Sequence, residues 1–281
     1  MRGSLLLVGI GVLGVACSSR NEIRRDSASL ARRSPPAVRL MTFNIQSARH
    51  GLDAVAAVIR DVKPDIVALE EVDKGTTLAG GRDQAHELAD RAGFPHQVHF
   101  RAASMRGGEY GVALLTRFPL VMARHFELPT PPTIEPRTVA WTVLDIGGRE
   151  VSVYITHLTN GSDRSELRAR QVRFIQLLMS RDSRPKVLMG DLNDAPDSPA
   201  LLALSRGLSD AFDRCGRGRP ETFPLPLFLP DLRLDYVMAS AELTPVESFV
   251  VRRIASDHFP LVADFELPAT RRSVAAAAGA P

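Results

Sequence analysis

The sequence predicts an α/β fold of two packed sheets flanked by helices, on three observations. From residue 37 onward, short β-branched runs alternate with amphipathic helical stretches. Gly147-Gly148 joins two apolar runs as a tight hairpin turn, which a purely parallel, doubly wound sheet would not contain. Hairpin-linked strands occur early and late in the chain, with helices interspersed. With 281 residues, 44% hydrophobic and 24% charged, the chain can build one large core and is not collagen-like, coiled-coil or wholly disordered.

Taken in order, Val38–Gln46 alternates as a strand, and Leu52–Val62 places Leu52, Val55, Ala56, Ile59 and Val62 on one helical face. Pro64 introduces a buried strand over Asp65–Val72. A helix over Gln84–Ala92 is stopped by Gly93, and a strand follows at Gln97–Ala102. Gly111–Leu115, Thr138–Asp145 and Glu150–His157 read as strands. Asp163–Met179 is the longest helical stretch, with Leu167, Val172, Ile175 and Leu178 on its apolar side. Lys186–Met189 is a strand and Pro199–Ser205 a short helix. Leu234–Met238, Val246–Val251 and Leu261–Phe265 are the closing strands. Residues 268–281 are low in complexity and expected to be disordered.

The net charge of +3 belongs to the ends of the chain. Arg2 contributes +1, residues 18–36 contribute +3 and Arg271-Arg272 contribute +2, which leaves residues 37–270 at −3. A body with that balance is not built for non-specific nucleic-acid binding.

Met1-Arg2, the apolar run Ser4–Ala16 and Cys17 together read as a targeting segment, too short to span a membrane. Leu13-Gly14-Val15-Ala16-Cys17 resembles the bacterial lipoprotein signal, in which the cysteine is acylated and becomes residue one. Gly14 departs from the usual aliphatic or small polar residue, and a cleaved secretory peptide is the alternative. Residues 1–17 are therefore expected to be a signal peptide and 18–36, ending in Pro35-Pro36, a flexible tether. The folded domain is expected over 37–267, held at the membrane of the bacterial cell envelope by a lipidated N-terminus or else secreted. Only Cys215 then remains, so no disulfide framework is expected.

The informative pattern is that apolar strands run into acidic, amide or imidazole residues. Thr42-Phe43 leads to Asn44-Ile45, Leu69 to Glu70-Glu71-Val72, Thr156 to His157-Leu158, and Gly190 to Asp191-Leu192-Asn193. Asp235 lies in Leu234-Asp235-Tyr236, and Ser256-Asp257-His258 precedes the last strand. Side chains at strand ends can converge on one edge of a sandwich. Oxygen donors with imidazoles suit a hard divalent cation and a phosphate better than a structural zinc.

These six motifs, in this order over roughly 37–267, resemble the endonuclease/exonuclease/phosphatase superfamily with its deoxyribonuclease I-like fold. The resemblance implies a four-layer α/β sandwich of two mostly antiparallel sheets flanked by helices. It implies Mg²⁺ or Mn²⁺ held by Glu71 with Asn44, and by Asp257 if a second ion binds. It makes His258, oriented by Asp235, the acid/base histidine and has Asp191 position or deprotonate the attacking water. Asn193 and His157 would hold phosphoryl oxygens. Either His258 or Asp191 would take the proton of that water. Arg137 stands where relatives often carry a phosphate-directed arginine, and Asn160 is a further possible phosphate contact. Gly107-Gly108-Glu109-Tyr110-Gly111 resembles a feature of one bacterial branch, with Tyr110 a candidate for substrate binding. Many relatives have Gln where this chain has Glu70, which either adds charge beside Glu71 or faces away from it by strand alternation.

Taken singly, each of these residues has a structural reading: strand-end hydrogen bonder, Asx turn or cap. His50, His86, His96, His99 and His125 match no motif and read as surface or core histidines, and the arginines of 164–184 as a solvated helix face. Phe223–Pro230, rich in Phe, Leu and Pro, is expected to be buried against the sandwich, with a lipid- or substrate-facing rim as the alternative.

The sequence therefore predicts a metal-dependent phosphoesterase, specifically a phosphodiesterase. Its substrate is a phosphate ester, with a lipid-linked phosphate or glycolipid head group and a nucleic acid as alternatives. A phosphomonoesterase acting on inositol phosphates is less supported, because no basic cluster for several phosphates is evident. No specific nucleic-acid or protein partner is indicated. A non-catalytic binding module that kept the fold is the reading from a different class.

Overall fold

The computed structural model describes residues 37–226 and 228–267. The signal segment, Cys17, the tether and the tail after residue 267 lie outside the described residues. Within them, the elements are β1 (Ala37–Asn44), α1 (Leu52–Val62), β2 (Ile66–Lys74), α2 (Gln84–Ala92), β3 (His96–Met105), β4 (Gly108–Thr116), β5 (Leu120–Glu127), β6 (Thr138–Asp145), β7 (Glu150–His157) and α3 (Ser165–Met179). They continue with β8 (Lys186–Asp191), α4 (Pro199–Leu204), β9 (Ser209–Asp210), α5 (Ala211–Cys215), β10 (Gly216–Arg217), β11 (Asp235–Ala239), β12 (Thr244–Val250) and β13 (Leu261–Glu266).

The strands form a seven-stranded sheet, β10-β12-β13-β1-β2-β4-β3, and a six-stranded sheet, β5-β6-β7-β8-β11-β9. Most neighbours are antiparallel. The pairs β1/β2, β7/β8 and β10/β12 are parallel, and α1 and α3 supply the long crossovers of the first two. The sheets face each other across an apolar seam that includes Leu40, Ala68 and Leu114 on one side and Val153, Met189 and Val237 on the other. Each fully buried aliphatic side chain there contributes roughly 1.5–3 kcal/mol. On the outer face of the second sheet, Val172 and Ile175 of α3 and Leu201 of α4 cover Tyr154, Leu188 and Tyr236. Two helices flank the first sheet's outer side: α1 buries Val55, Ile59 and Val62, and α2 is capped by Asp83, whose side chain accepts from His86 N–H, and closed by left-handed Gly93.

The predicted sandwich is thus present, with differences that have local causes. β5 is an edge strand with mostly exposed or half-buried side chains, so the apolar alternation that would have announced it is weak. β9, β10 and α5 are too short to carry a period. β1 ends at Asn44, because Gln46, Ser47 and Ala48 have positive φ and turn the chain. Arg168 is not on a solvated face: it is buried, ion-paired with Asp194 at 2.8 Å and hydrogen-bonded to the carbonyls of Thr159 and Gly161. Nor is the Phe223–Pro230 run buried as expected, since among its described residues Phe223 and Leu225 are half-buried, Phe228 is 84% exposed and Leu229 48%.

Candidate active site

Strand register explains why distant motifs meet. In the six-stranded sheet Asp191 ends β8 with His157 of β7 as its partner on one side and Asp235 of β11 on the other. In the facing sheet Asn44 of β1 pairs with Glu70 of β2. His258 arrives on the loop before β13. β8 can press this closely on β7 because residue 190 is glycine: its φ is 144°, and a Cβ there would run into the Thr156 carbonyl.

β2 carries the decisive irregularity. Between the pairs Leu69/Ala113 and Val72/Gly111, two residues of β2 oppose one of β4, a β-bulge, and Glu71 has φ 56°. The bulge breaks strand alternation, so Glu70 and Glu71 both reach the site. Glu70 therefore does not face away: it is fully buried and accepts a hydrogen bond from Thr42 Oγ1 at 2.9 Å. Burial pushes its carboxyl well above the usual range, and the nearby Asp235 carboxylate adds to the shift. Glu71, less buried, accepts from Asn44 Nδ2 at 3.0 Å and is also raised, by burial first and then by Asp257 against the lowering effect of Asn44.

The Asp191 carboxylate is the meeting point. Its Oδ2 lies 3.1 Å from Asn44 Nδ2, 3.4 Å from His157 Nε2 and 3.7 Å from His258 Nε2. His258 is braced from behind by Asp235, with Nδ1 to Oδ2 at 2.8 Å. Burial opposes the imidazolium, but Asp235 and Asp191 outweigh it and hold the His258 pKa up at about 10. Burial drives Asp191 to about 7, and Asp235 adds to this, while His258 pulls the other way. His157 is held well below its ordinary value by burial, then by Arg137 and His258. Because Arg137 Nη1 can only donate, its 3.0 Å contact with His157 Nδ1 fixes the histidine proton on Nε2, facing Asp191.

The remaining predicted residues divide. Arg137 is buried, pairs with Glu135 at 2.7 Å, and keeps Nε without a partner. Tyr110, Arg137 and His157 line one small cleft. Asp257 borders the site through a 2.6 Å hydrogen bond from Gln46 Nε2. Asn193 is in the left-handed region; its backbone N–H donates to Asp191 Oδ1 at 2.9 Å and its side chain to the Leu158 carbonyl at 3.1 Å. Asn160 stands apart: it is exposed, and its carbonyl accepts from Arg164. Gln46 and Glu135 were given no role from sequence; Thr42 entered only within the motif that leads to Asn44, and Phe223, whose ring lies 4.8 Å from that of His258, only within the Phe223–Pro230 run.

Two donor sets could hold a cation. One comprises Glu71, Asn44 and Asp257, where the Asn44 hydrogen bond engages only Oε1 of Glu71. In the other, single atoms of Asp191, Asp235 and His258 lie within 4.8 Å of one another. The hydrogen bond between His258 and Asp235 already uses the inner face of that second set. Oε2 of Glu70 and Oδ1 of Asp235 are buried without partners, so the site holds acceptor atoms that the protein itself leaves unsatisfied.

The model of the Endonuclease/Exonuclease/phosphatase family matches residues 41–258. Protein cwh43 of Schizosaccharomyces pombe (strain 972 / ATCC 24843) is 28% identical over 189 residues, 62% of this chain and 18% of that protein, so the chain spans less than a fifth of that relative's length. Among solved structures, the endonuclease/exonuclease/phosphatase from Beutenbergia cavernae DSM 12333 superposes with a TM-score of 0.68 at 28% identity, covering 84% of this chain and 72% of that one. A mannosyl-6-phosphatase of Bacteroides thetaiotaomicron VPI-5482 shares the fold, with a TM-score of 0.66 at 20% identity and coverage of 82% and 100%. The human Nocturnin catalytic domain with bound sulfate does too, at 0.66, 21%, 83% and 94%. A match over most of the described domain, on a sandwich whose strand ends gather these side chains, makes the chain a member of the endonuclease/exonuclease/phosphatase family.

Proposed function

We propose that the chain is a divalent-metal-dependent phosphodiesterase. The observation that carries this reading is the convergence of Asn44, His157 and His258 on the Asp191 carboxylate, with Asp235 behind His258. The oxygen-rich donors Glu71, Asn44 and Asp257 fit Mg²⁺ or Mn²⁺. When bound, the cation would act as a Lewis acid that offsets the charge developing on the phosphoryl oxygens.

The side chains divide the proton work by their surroundings. Asp191, oriented by Asn44 and by the Asn193 N–H, takes the proton of the attacking water. His258, charged at neutral pH between Asp235 and Asp191, gives a proton to the leaving oxygen as the P–O bond breaks. The proton gained by Asp191 can then return to His258, whose Nε2 is 3.7 Å away. Arg137 and the Nε2–H of His157 offer donors to the non-bridging oxygens. Asn193 acts by positioning Asp191, while Asn160 has no part at the reacting centre. Acylation of Cys17 belongs to the same proposal, checked by a lipid-sized mass increase that Cys17→Ala removes.

The test is hydrolysis of bis-p-nitrophenyl phosphate beside p-nitrophenyl phosphate, with Mg²⁺, with Mn²⁺ and with EDTA. Diester cleavage that needs the cation and disappears in His258→Ala is the expected result. Faster cleavage of the monoester would favour a phosphatase, and no cleavage of either would favour a binding module.

A further inference from the structure

Two loops that border His258 carry exposed apolar tips on firmly held necks. In the first, Phe223 and Leu232 pair as a bridge, with reciprocal backbone hydrogen bonds of 2.9 and 2.8 Å, and Leu225 N–H is held by Asp231 at 3.0 Å. The neck is locked to the site itself: Thr222 Oγ1 accepts from Asp235 N–H, and the Thr222 carbonyl accepts from Phe259 N–H. Beyond that neck, Phe228 is 84% exposed and Leu229 48%, and Leu232 of the neck itself is 40% exposed. In the second loop Ile254 is 79% exposed, four residues before His258. Arg252 ties the loops together through Glu221 at 3.2 Å and Asp231 at 3.8 Å.

Anchored necks make the exposure of these side chains a fixed feature, and it costs solvation free energy unless another phase receives the tips. We propose that this rim docks into the headgroup region of an anionic phospholipid bilayer and presents a lipid phosphodiester to His258. The proposal rests on the phosphodiesterase reading and names the substrate class for it. Charge favours this occupant. In and beside the two loops Arg217, Arg219, Arg252 and Arg253 balance Glu247, Glu221, Asp231 and Asp61 in ion pairs, so the rim carries no net negative charge. The body of the chain, at −3 over residues 37–270, would otherwise be repelled by such a surface. A few side chains raised on two loops suit insertion between headgroups, whereas a stable protein interface needs a broad patch of about 800 Å² per partner.

The test uses the full chain, vesicles of phosphatidylcholine and phosphatidylglycerol, and a Leu229→Trp variant. The wild type has one tryptophan, Trp141, which stacks on Tyr154 in the six-stranded sheet and serves as the reference. Vesicles containing brominated lipid should quench the fluorophore of Leu229→Trp and leave the wild-type signal unchanged. Phe228→Asp and Ile254→Asp, separately, should each weaken vesicle partition by roughly tenfold. Both should retain hydrolysis of bis-p-nitrophenyl phosphate, which also reports that they fold. A chain that floats with vesicles while Leu229→Trp stays unquenched is anchored elsewhere, and the proposal fails. It fails equally if both aspartate variants abolish a dimer that forms without lipid, since a second copy would then cover the rim. Quenching without any diester hydrolysis would leave the docking intact and overturn the phosphodiesterase reading instead.

Discussion

Near one end of β1, Arg39 is buried in a fully used ion pair. Its Nε and Nη2 each reach an oxygen of Asp264 at 2.7 Å, Nη1 donates to the Val62 carbonyl at 3.1 Å, and its backbone N–H donates to Asp65. At the other end, Asn44 opens on carboxylates and imidazoles that are just as buried, yet Glu70 Oε2 and Asp235 Oδ1 have no partner. One strand thus carries two kinds of buried polarity. The Arg39 pair spends all its hydrogen-bonding capacity on holding β1, β13 and α1 together. The Asn44 end withholds some of that capacity, and burial there raises the pKa of Glu70, Glu71 and Asp191 and lowers that of His157.

That contrast can be broken at either end. His258→Ala or Asp191→Ala should lower diester turnover by about 10²–10⁴-fold while melting stays close to wild type, measured by steady-state kinetics and calorimetry. Arg39→Met should do the reverse, costing about 3–5 kcal/mol in denaturant titration with turnover of the folded fraction unchanged; adding Asp264→Leu should recover most of the loss. Glu71→Ala should raise the Mg²⁺ concentration for half-maximal activity by at least about tenfold. In the metal-free protein, His258 binds a proton that the unfolded chain releases at its ordinary value of 6.5, because the folded value is about 10. Its stabilisation is complete below about pH 6.5 and disappears as pH rises through about 10, so the melting temperature should fall across that window, less steeply in His258→Asn. The smallest effect is expected of Glu70→Gln. Burial shifts that carboxyl towards its neutral form, which the amide resembles, so turnover should stay within about threefold, a change of about 0.7 kcal/mol.

Much of this was legible in the sequence because apolar periodicity and strand-end polarity are local. Leu52–Val62, Gln84–Ala92, Thr138–Asp145 and Glu150–His157 have the predicted limits, and Asn44, His157, Asp191, Asp235 and His258 meet as their motif order implied. What stayed hidden depends on relations between strands. β5 is an edge strand whose solvated side chains carry little pattern. The orientation of Glu70 follows from a count of residues on β2 against β4, which no single strand contains. Phe223–Pro230 has the composition of a core segment, and only its pinned neck shows that it points outward.

The bulge in β2 is a difference in length between two strands, so no substitution can create or erase it. Inserting or deleting a residue between Leu69 and Val72, or between Gly111 and Ala113 of β4, can do so. Removing Glu71 would give a regular ladder with its hydrogen bonds intact and one carboxylate fewer at the site. Among related chains, then, the spacing between these two apolar anchors decides whether two acidic side chains can share the site, whichever letters fill the gap. A chain could exchange either glutamate and keep the geometry, or keep both motifs in name and lose it through a one-residue contraction.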